Sequence, residues 1–256
     1  MTDLKVTDLP PRSQDYLKKI FDLVDWEEGD VSTRSGVALS ELADALGQQR
    51  STASEAVKRL AGLGLVDHTP YRPIMLTERG REFAIELVRR HRLVETFLAE
   101  VVGYRVEEIH AEAEVLEHAV SDLFIERIDK ALGYPTRDPH GDPIPDADGN
   151  VTPVDCVPLS QVPEGEYAEV VRLRDRDSSL LRYLTDSGLA PGVRVRLLPA
   201  PYAGVAHIEV CSPGRAAEQG ESEGGGAEPE TGRDPVTVDA DALSHIQVRL
   251  GPAETE

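Results

Sequence analysis

The 256-residue chain predicts a mainly α protein with α+β parts: an N-terminal winged helix-turn-helix, a helical section behind it, and a small β-barrel at the end. Three observations carry this prediction. Apolar residues recur at helical spacing through most of the first half. Two short helical patterns around a Gly-containing turn, followed by two strand-like runs, make a helix-turn-helix with a wing. Beyond a stretch rich in Pro, Gly and Asp, the pattern changes to short strands between turns.

The elements follow in order. Tyr16, Leu17, Ile20, Phe21, Leu23 and Val24 share a helical face over residues 11–27, opened by Pro10, Pro11 and Ser13. Glu28 to Gly36 reads as a loop. Ser40 is placed to cap a short helix over Glu41–Leu46 that stops at Gly47. A second helix runs from about Ser51 to Leu63 with Ala53, Ala56, Val57 and Leu60 inward. The runs Gly64–His68 and Pro73–Thr77 read as two strands across Thr69-Pro70-Tyr71-Arg72, a β-wing.

A long helix is predicted from about Glu78 to Val102, a second from near Val106 past His118, and a third over Ser121–Leu132. The third holds Leu123, Phe124, Ile125 and Ile128, more apolar surface than one small domain buries, which predicts a subunit interface. Strands are predicted at Glu166–Leu173, Val193–Leu198, Ala206–Val210 and His245–Leu250, with a short helix at Ser178–Ser187. The sections are therefore 1–77, 78–135, a linker at 136–154 and a barrel at 155–250, with a low-complexity insert at 213–234 expected to be disordered.

Composition narrows the function. No run approaches the roughly 20 apolar residues of a membrane helix, and Met1-Thr-Asp-Leu-Lys-Val lacks a leader's apolar core. A cytoplasmic protein is expected. Cys156 and Cys211 are far apart and form no CxxC motif, which fits reduced thiols. The net charge of −20 argues against a general nucleic-acid binder. Yet residues 1–100 carry 14 Lys and Arg against 17 Asp and Glu, so most of the acid excess lies outside the winged section.

Two ligand clusters stand out. Glu114, Glu117 and His118 fall on one helical turn, and His91 and Glu95 on one helix upstream. Residues three and four apart share a face, so each cluster points oxygen and nitrogen donors at one place. Metal ligands behind a DNA-binding fold suggest a metal-controlled transcription factor.

At the helix-turn-helix, Gln49 and Arg50 are placed to bond base edges, and Ser51, Thr52 and Ser54 to reach phosphates. Lys58, Arg59 and Arg72 are candidate backbone contacts, Arg72 from the wing. Glu55 would favour cytosine amino groups or repel phosphate.

The chain resembles the metal-dependent repressors of the diphtheria toxin repressor and manganese transport regulator family. The residues that carry the resemblance are Asp15-Tyr-Leu-Lys-Lys-Ile20, the winged helix, Arg90-His-Arg-Leu-Val-Glu95, Glu117-His118 and Gly141-Asp-Pro-Ile-Pro145. Val162-Pro-Glu-Gly165 and Ser187-Gly-Leu-Ala-Pro-Gly192 look like the SH3-like barrel of the longer members. The resemblance implies a homodimer that binds double-stranded operator DNA when Mn(II) or Fe(II) is bound, and represses metal-uptake genes. It implies a principal site of Asp15, Glu114, Glu117 and His118. A second site would use His91, Glu95 and His110, closed by Asp177 from the barrel; His91 could serve either.

Iron-tuned members carry Met at the position of Asp15 and Cys at that of Glu114. The hard oxygens here point to Mn(II), with Fe(II) the alternative and other divalent ions able to substitute in vitro. Some manganese regulators hold an acid where this chain has Lys18, and that departure argues against a two-manganese site of their kind. Glu55 likewise replaces a Gln of the iron-tuned members, so a different operator is expected.

Without an ion, Asp15, Glu114 and Glu117 are expected to repel, by about 4 kcal/mol for a pair roughly 4 Å apart at an effective dielectric of about 20. The rival readings are a metal-independent winged-helix regulator, whose operator binding would survive chelation, and a metallohydrolase. The latter lacks an HExxH motif, a Ser-His-Asp order or a phosphate loop. The proline-rich stretch at 135–145 also makes docking onto the barrel conceivable.

Overall fold

The computed structural model describes residues 4–28, 36–69, 72–200, 202–211 and 234–250. The 213–233 part of the predicted insert and the Pro70-Tyr71 tip of the wing lie outside them, as does most of the loop after Glu28. The chain divides into two compact units. The first is Met1–Gly103, Ala111–Asp138 and Pro143–Val154; the second is Tyr104–His110, Pro139–Asp142 and Asp155–Glu256. The winged helix and most of the helical section thus share one unit.

In the first unit, α1 spans Pro11–Glu28. Proline suits its first position because that N–H has no intrahelical partner. The face predicted to be apolar is buried, from Tyr16 to Val24. Helices α2 (Leu39–Ala45) and α3 (Arg50–Gly62) pack on it through Leu42, Ala53, Val57 and Leu60. The turn between them uses Gly47 at φ 61, a conformation glycine adopts without steric cost. Ser40 does not cap α2: the helix begins two residues earlier than predicted, at Leu39, with Ala38 at the cap position and no side-chain cap bond. Strands β1 (Val66–Asp67) and β2 (Met75–Leu76) pair antiparallel as the wing, and Val37 bridges Ile74 beside them.

Helix α4 (Glu78–Phe97) starts at a Thr77 cap whose Oγ1 accepts the Gly80 N–H. Gly80 is required there, since a Cβ would sit 1.8 Å from the Leu65 carbonyl oxygen. The α-helix ends at Phe97, short of the predicted Val102, and one π turn (Leu98–Val102) runs on to Gly103. Helix α5 (Val106–Leu116) is also shorter than predicted, so Glu117 and His118 lie in the turn just past it. The Glu117 N–H still donates to the Ala113 carbonyl, which keeps the helical direction. Helix α6 (Asp122–Ala131) has Ser121 as its cap, its hydroxyl accepting the Phe124 N–H.

The stretch read as a linker is anchored. Arg92 donates to the Pro143 carbonyl, and Arg89 to the Pro145 carbonyl and to Asp129. Ile144 and Val154 are buried.

The second unit is a six-stranded antiparallel sheet in the order β3-β8-β4-β5-β6-β7. The strands are β3 Val157–Pro158, β4 Tyr167–Leu173, β5 Arg194–Leu198, β6 Val205–Val210, β7 Val236–Asp239 and β8 Ile246–Leu250. Alternating inward residues such as Ala168, Val170, Val195, Leu197 and Ile208 build its core with Leu181 and Leu184 of α7 (Ser178–Asp186). Strands β3 and β7 were not foreseen. The first is two residues long and contains a proline, and the second follows the low-complexity insert. The Pro139–Asp142 segment joins this unit: the His140 carbonyl accepts the Leu173 N–H and Asp142 pairs with Arg172. Among the described residues, no helix is long and apolar enough to cross a membrane.

Candidate metal centre

Three elements of the first unit converge. Helix α1 presents Gln14, Asp15 and Lys18 on one face, because positions three and four apart are neighbours. The end of α5 and the turn after it supply Glu114, Glu117 and His118, and α4 supplies His91 and Glu95.

The His118 Nε2 lies 2.9 Å from Asp15 Oδ1. Its other nitrogen, Nδ1, faces Gln14 Oε1 at 3.0 Å. The amide nitrogen of Gln14 donates to the Leu9 carbonyl at 2.8 Å and the Val6 carbonyl at 3.3 Å. With both amide hydrogens committed, Oε1 must face the ring, so Nδ1 donates to it and Nε2 is the nitrogen turned towards Asp15. A ligand imidazole is commonly oriented this way by a partner on its far nitrogen. Sequence reasoning missed Gln14. Its signal was an uncharged polar side chain directly before Asp15 and one turn before Lys18 on the same helix.

Asp15, Glu117 and His118 each offer a ligand atom, and these atoms all lie within 4.8 Å of one another. Asp15 Oδ1 is buried and has no hydrogen-bond partner of adequate geometry. A buried carboxylate oxygen without a donor is costly. Burial pushes the Asp15 carboxyl above its ordinary value, against the pull of His118 and Lys18. Neighbouring donors around an octahedral ion with bonds of about 2.1 Å stand roughly 3 Å apart, which is the Asp15–His118 spacing. Oxygen and imidazole donors with no thiolate suit a hard or borderline divalent ion. The residues present fit such an ion.

Lys18 changes the expected electrostatics. It is 1% exposed. Its Nζ donates to Glu114 Oε1 at 2.7 Å and to Glu117 Oε1 at 2.6 Å, and lies 3.2 Å from His91 Nδ1. The glutamates therefore do not simply repel, as the sequence alone suggested, because an ammonium stands between them. Burial lowers the lysine's pKa, but Glu117 and Glu114 outweigh it and hold the group above its ordinary value.

His91 donates from Nδ1 to Glu117 Oε2 at 2.5 Å, and its Nε2 lies 2.9 Å from Glu95 Oε1. Burial pushes this imidazole down, and Glu95 and Glu117 more than reverse that, to about 9. Glu117 is pushed up by burial but held down to about 2 by His91 and Lys18. Glu114 is lowered too: Lys18 and His91 outweigh its burial. Four carboxylates (Asp15, Glu95, Glu114 and Glu117) thus lie around the cationic Lys18 and His91.

The second unit holds the other residues of the second ligand set. His110 belongs to the second unit, where its Nδ1 lies 2.8 Å from Asp175 Oδ2. Asp177 is otherwise engaged: its Oδ1 accepts the N–H groups of Ser179 and Leu180 and caps α7. The carboxylate beside His110 is that of Asp175, two residues before the expected one. A cap oxygen satisfies helix-end donors that have no other partner, which keeps Asp177 in place.

Of the residues predicted to meet DNA, Gln49, Arg50, Ser51, Thr52, Glu55, Lys58 and Arg59 are exposed and Ser54 is half-buried, while Ala53, Ala56, Val57 and Leu60 face the core. Arg72 is exposed on the wing. Glu55 and Lys58 pair at 2.8 Å, and that hydrogen bond holds the Glu55 carboxyl below its ordinary value. One candidate phosphate contact is thus partly neutralised by its neighbour.

Three family descriptions match the chain in succession. "Iron dependent repressor, N-terminal DNA binding domain" matches residues 8–74. "Iron dependent repressor, metal binding and dimerisation domain" matches 77–146, and "FeoA domain" 157–217. The iron-dependent repressor IdeR of Mycobacterium tuberculosis is 34% identical over 212 residues, covering 78% of this chain and 89% of the relative. The chain belongs to the diphtheria toxin repressor and manganese transport regulator family of metal-dependent transcriptional repressors. The diphtheria toxin repressor of Corynebacterium glutamicum is 31% identical over 202 residues, covering 75% of this chain and 85% of that one. A solved structure described as a manganese-dependent transcriptional repressor in complex with manganese superposes with TM-score 0.76 at 39% identity, over 93% of this chain and 99% of that one. ScaR with bound Cd2+ superposes with TM-score 0.71 at 29% identity, over 93% and 99%. The N-terminal DNA-binding domain, the helical metal-binding domain and the SH3-like sheet domain are those the sequence predicts.

Proposed function

We propose that the chain is a cytoplasmic Mn(II)-responsive repressor that binds operator DNA as a homodimer and controls metal-uptake genes. The convergence of Asp15 on α1 with Glu117 and His118 beyond α5 carries this reading. The principal ligands are Asp15, Glu114, Glu117 and His118. A further ligand set remains proposed in its parts, His91 with Glu95 and His110 with Asp175.

The metal choice rests on donor chemistry. Carboxylate and imidazole suit Mn(II), and no thiolate or thioether is among the donors. Zn(II) would bind such a set more tightly on affinity alone, so geometry and cellular supply must select. Curated relatives are named iron-dependent and a 39% identical structure manganese-dependent, so Fe(II) is the competing ion to test.

A bound divalent ion supplies two positive charges and directional bonds shared between α1 and the α5 turn. Asp15 is the ligand contributed by α1. Directly around that helix, Leu17, Ile20 and Phe21 belong to the core that holds α2 and α3. Fixing Asp15 against Glu117 and His118 therefore fixes the DNA-binding helices relative to α4 and α6. Two half-sites lie about 34 Å apart, so a small angular spread of the reading helices weakens operator binding. Val101, Val102, Val115, Leu123 and Phe124 are exposed apolar residues of the same unit and support the dimer face.

A gel-shift titration on uptake-gene promoters, with Mn(II), Fe(II), Zn(II) and chelator in parallel, tests the reading. Mn(II) should promote the shift, and Asp15→Ala and His118→Ala should each abolish the response while the dimer stays folded. A response retained in both variants sinks the ligand assignment. Operator binding indifferent to chelation sinks the metal dependence.

A further inference from the structure

We infer that the groove between α7 and the end of β7 docks an extended cationic segment of a partner protein, one that alternates basic and aliphatic side chains.

The groove lies wholly within the second unit. Its volume is about 840 Å³, inside the range of roughly 300–1,000 Å³ typical of ligand-binding clefts. One wall is formed by Asp177, Leu180 and Tyr183, which are three apart and share one side of α7. The other wall runs from Thr237 to Ala242, where β7 passes into a 3₁₀ helix (Ala240–His245). The Tyr183 hydroxyl donates to the Thr237 carbonyl at 3.0 Å and ties the two walls together.

Three features select the occupant. The first is charge. Asp177, Asp239 and Asp241 are exposed at the groove, and no lysine or arginine is among the described residues that line it. The second is the apolar floor of Leu180, Val205, Val238 and Ala242, which a hydrated inorganic cation would leave unused. The third is a chain-like arrangement of polar groups. Among the described residues β7 is the outer strand of its sheet, and an outer strand offers backbone groups to an extended segment. His245 Nδ1 is buried and has no hydrogen-bond partner among the described residues. Burial pushes this imidazole below its ordinary value, with Arg174 and Arg176 adding to it against the pull of Asp177. The neutral ring can therefore meet a peptide amide. Successive side chains of an extended segment point to opposite sides, so one set reaches the aspartates and the next the floor.

The chain's own segments fit poorly. Pro139–Asp142 packs beside β4 instead, through the His140 carbonyl and Asp142. Residues 212–233 carry two arginines against five glutamates, and a second copy brings a net charge of −20. Like charges across an interface are unfavourable, so the complementary occupant is a basic segment from another protein.

The test uses the full-length protein and three short synthetic peptides, alternating arginine with valine, glutamate with valine, and arginine with serine. Fluorescence anisotropy at physiological salt gives affinities, and amide chemical shifts of the isotope-labelled protein locate the contact. The arginine–valine peptide should bind and move the amides of Thr237–Ala242 and α7. The double variant D239K/D241K, checked for folding by circular dichroism, should bind it about tenfold more weakly, because two attractions become repulsions. Equal binding of the arginine–serine peptide would reduce the effect to general attraction by an acidic protein and overturn the inference. So would binding of the glutamate–valine peptide, shifts confined to other parts of the chain, or wild-type affinity in folded D239K/D241K. Higher-order self-association that D239K/D241K abolishes, with no peptide bound, would assign the groove to a second copy and overturn the partner. If D239K/D241K does not fold, the peptide series and the shift map decide.

Discussion

Replacing Lys18 with methionine should leave the first unit weakened in chelator and unusually dependent on Mn(II) for its stability. Methionine keeps the length of the stem and removes the ammonium that Glu114 and Glu117 share. Removing one partner of a buried ion pair costs about 3–5 kcal/mol, because the other charge stays buried and uncompensated. Glu117 has 1% of its side chain exposed and takes the full penalty, whereas Glu114 has 32% exposed and is partly screened by water. The lower end, about 3 kcal/mol, is the better figure. For a body of about 150–250 residues each kcal/mol moves the midpoint by roughly 2–4 °C, so the expected loss is about 6–12 °C. The single tryptophan of the chain, Trp26, lies in α1, so its fluorescence reports melting of the first unit. An ion at about a hundredfold its Kd adds about 2.7 kcal/mol to wild type. In K18M it also neutralises two stranded carboxylates, so the Mn(II)-induced rise should exceed the wild-type rise by several degrees. Equal midpoints in chelator, or equal rises with Mn(II), would refute the idea that Lys18 compensates these acids.

Q14L should lower Mn(II) affinity about 10–100-fold by calorimetry, as the loss of a partner that orients a ligand does, while Asp15 and His118 remain. In chelator, the pH dependence of stability has two limbs. Glu117 is held down to about 2 from an ordinary 4.5, so its contribution is complete above 4.5 and is lost as pH falls through 2. His91 is raised from 6.5 to about 9, so its contribution is complete below 6.5 and is lost as pH rises through 9. Trp26 melts should be highest between about pH 4.5 and 6.5, and a midpoint still climbing towards pH 9 would contradict the His91 assignment. E55Q should release Lys58 for phosphate, raising operator affinity and steepening the salt dependence by about one contact. An unchanged slope would show that Lys58 stays away from the backbone.

What the sequence made legible, and what it hid, follows from the range of the interactions. Glu114, Glu117 and His118 were visible because helical spacing is local: three and four residues make one face whatever else the chain does. The winged helix was visible for the same reason, through the apolar face of α1 and the inward set on α3. Asp15 came from the family resemblance, since nothing local ties it to groups about 100 residues away. Lys18 was noticed as a missing acid, yet its role as a cation depends on α4 and α5 meeting α1, which no periodicity encodes. Even so, a local sign existed. Lys18 lies between Leu17 and Ile20 on a helix that buries nearly every large side chain, three residues after Asp15 and four after Gln14. A charged residue on a face that must be buried needs a partner of opposite sign, and the nearby helical acids were the available ones. The choice between Asp175 and Asp177 was equally local: an aspartate directly before Ser178-Ser179 on a predicted helix reads first as a cap. Weighing each polar residue by what its backbone position already demands separates structural acids from those left over for a ligand. By that criterion Asp15, whose buried Oδ1 has no donor, is the acid most in need of a cation.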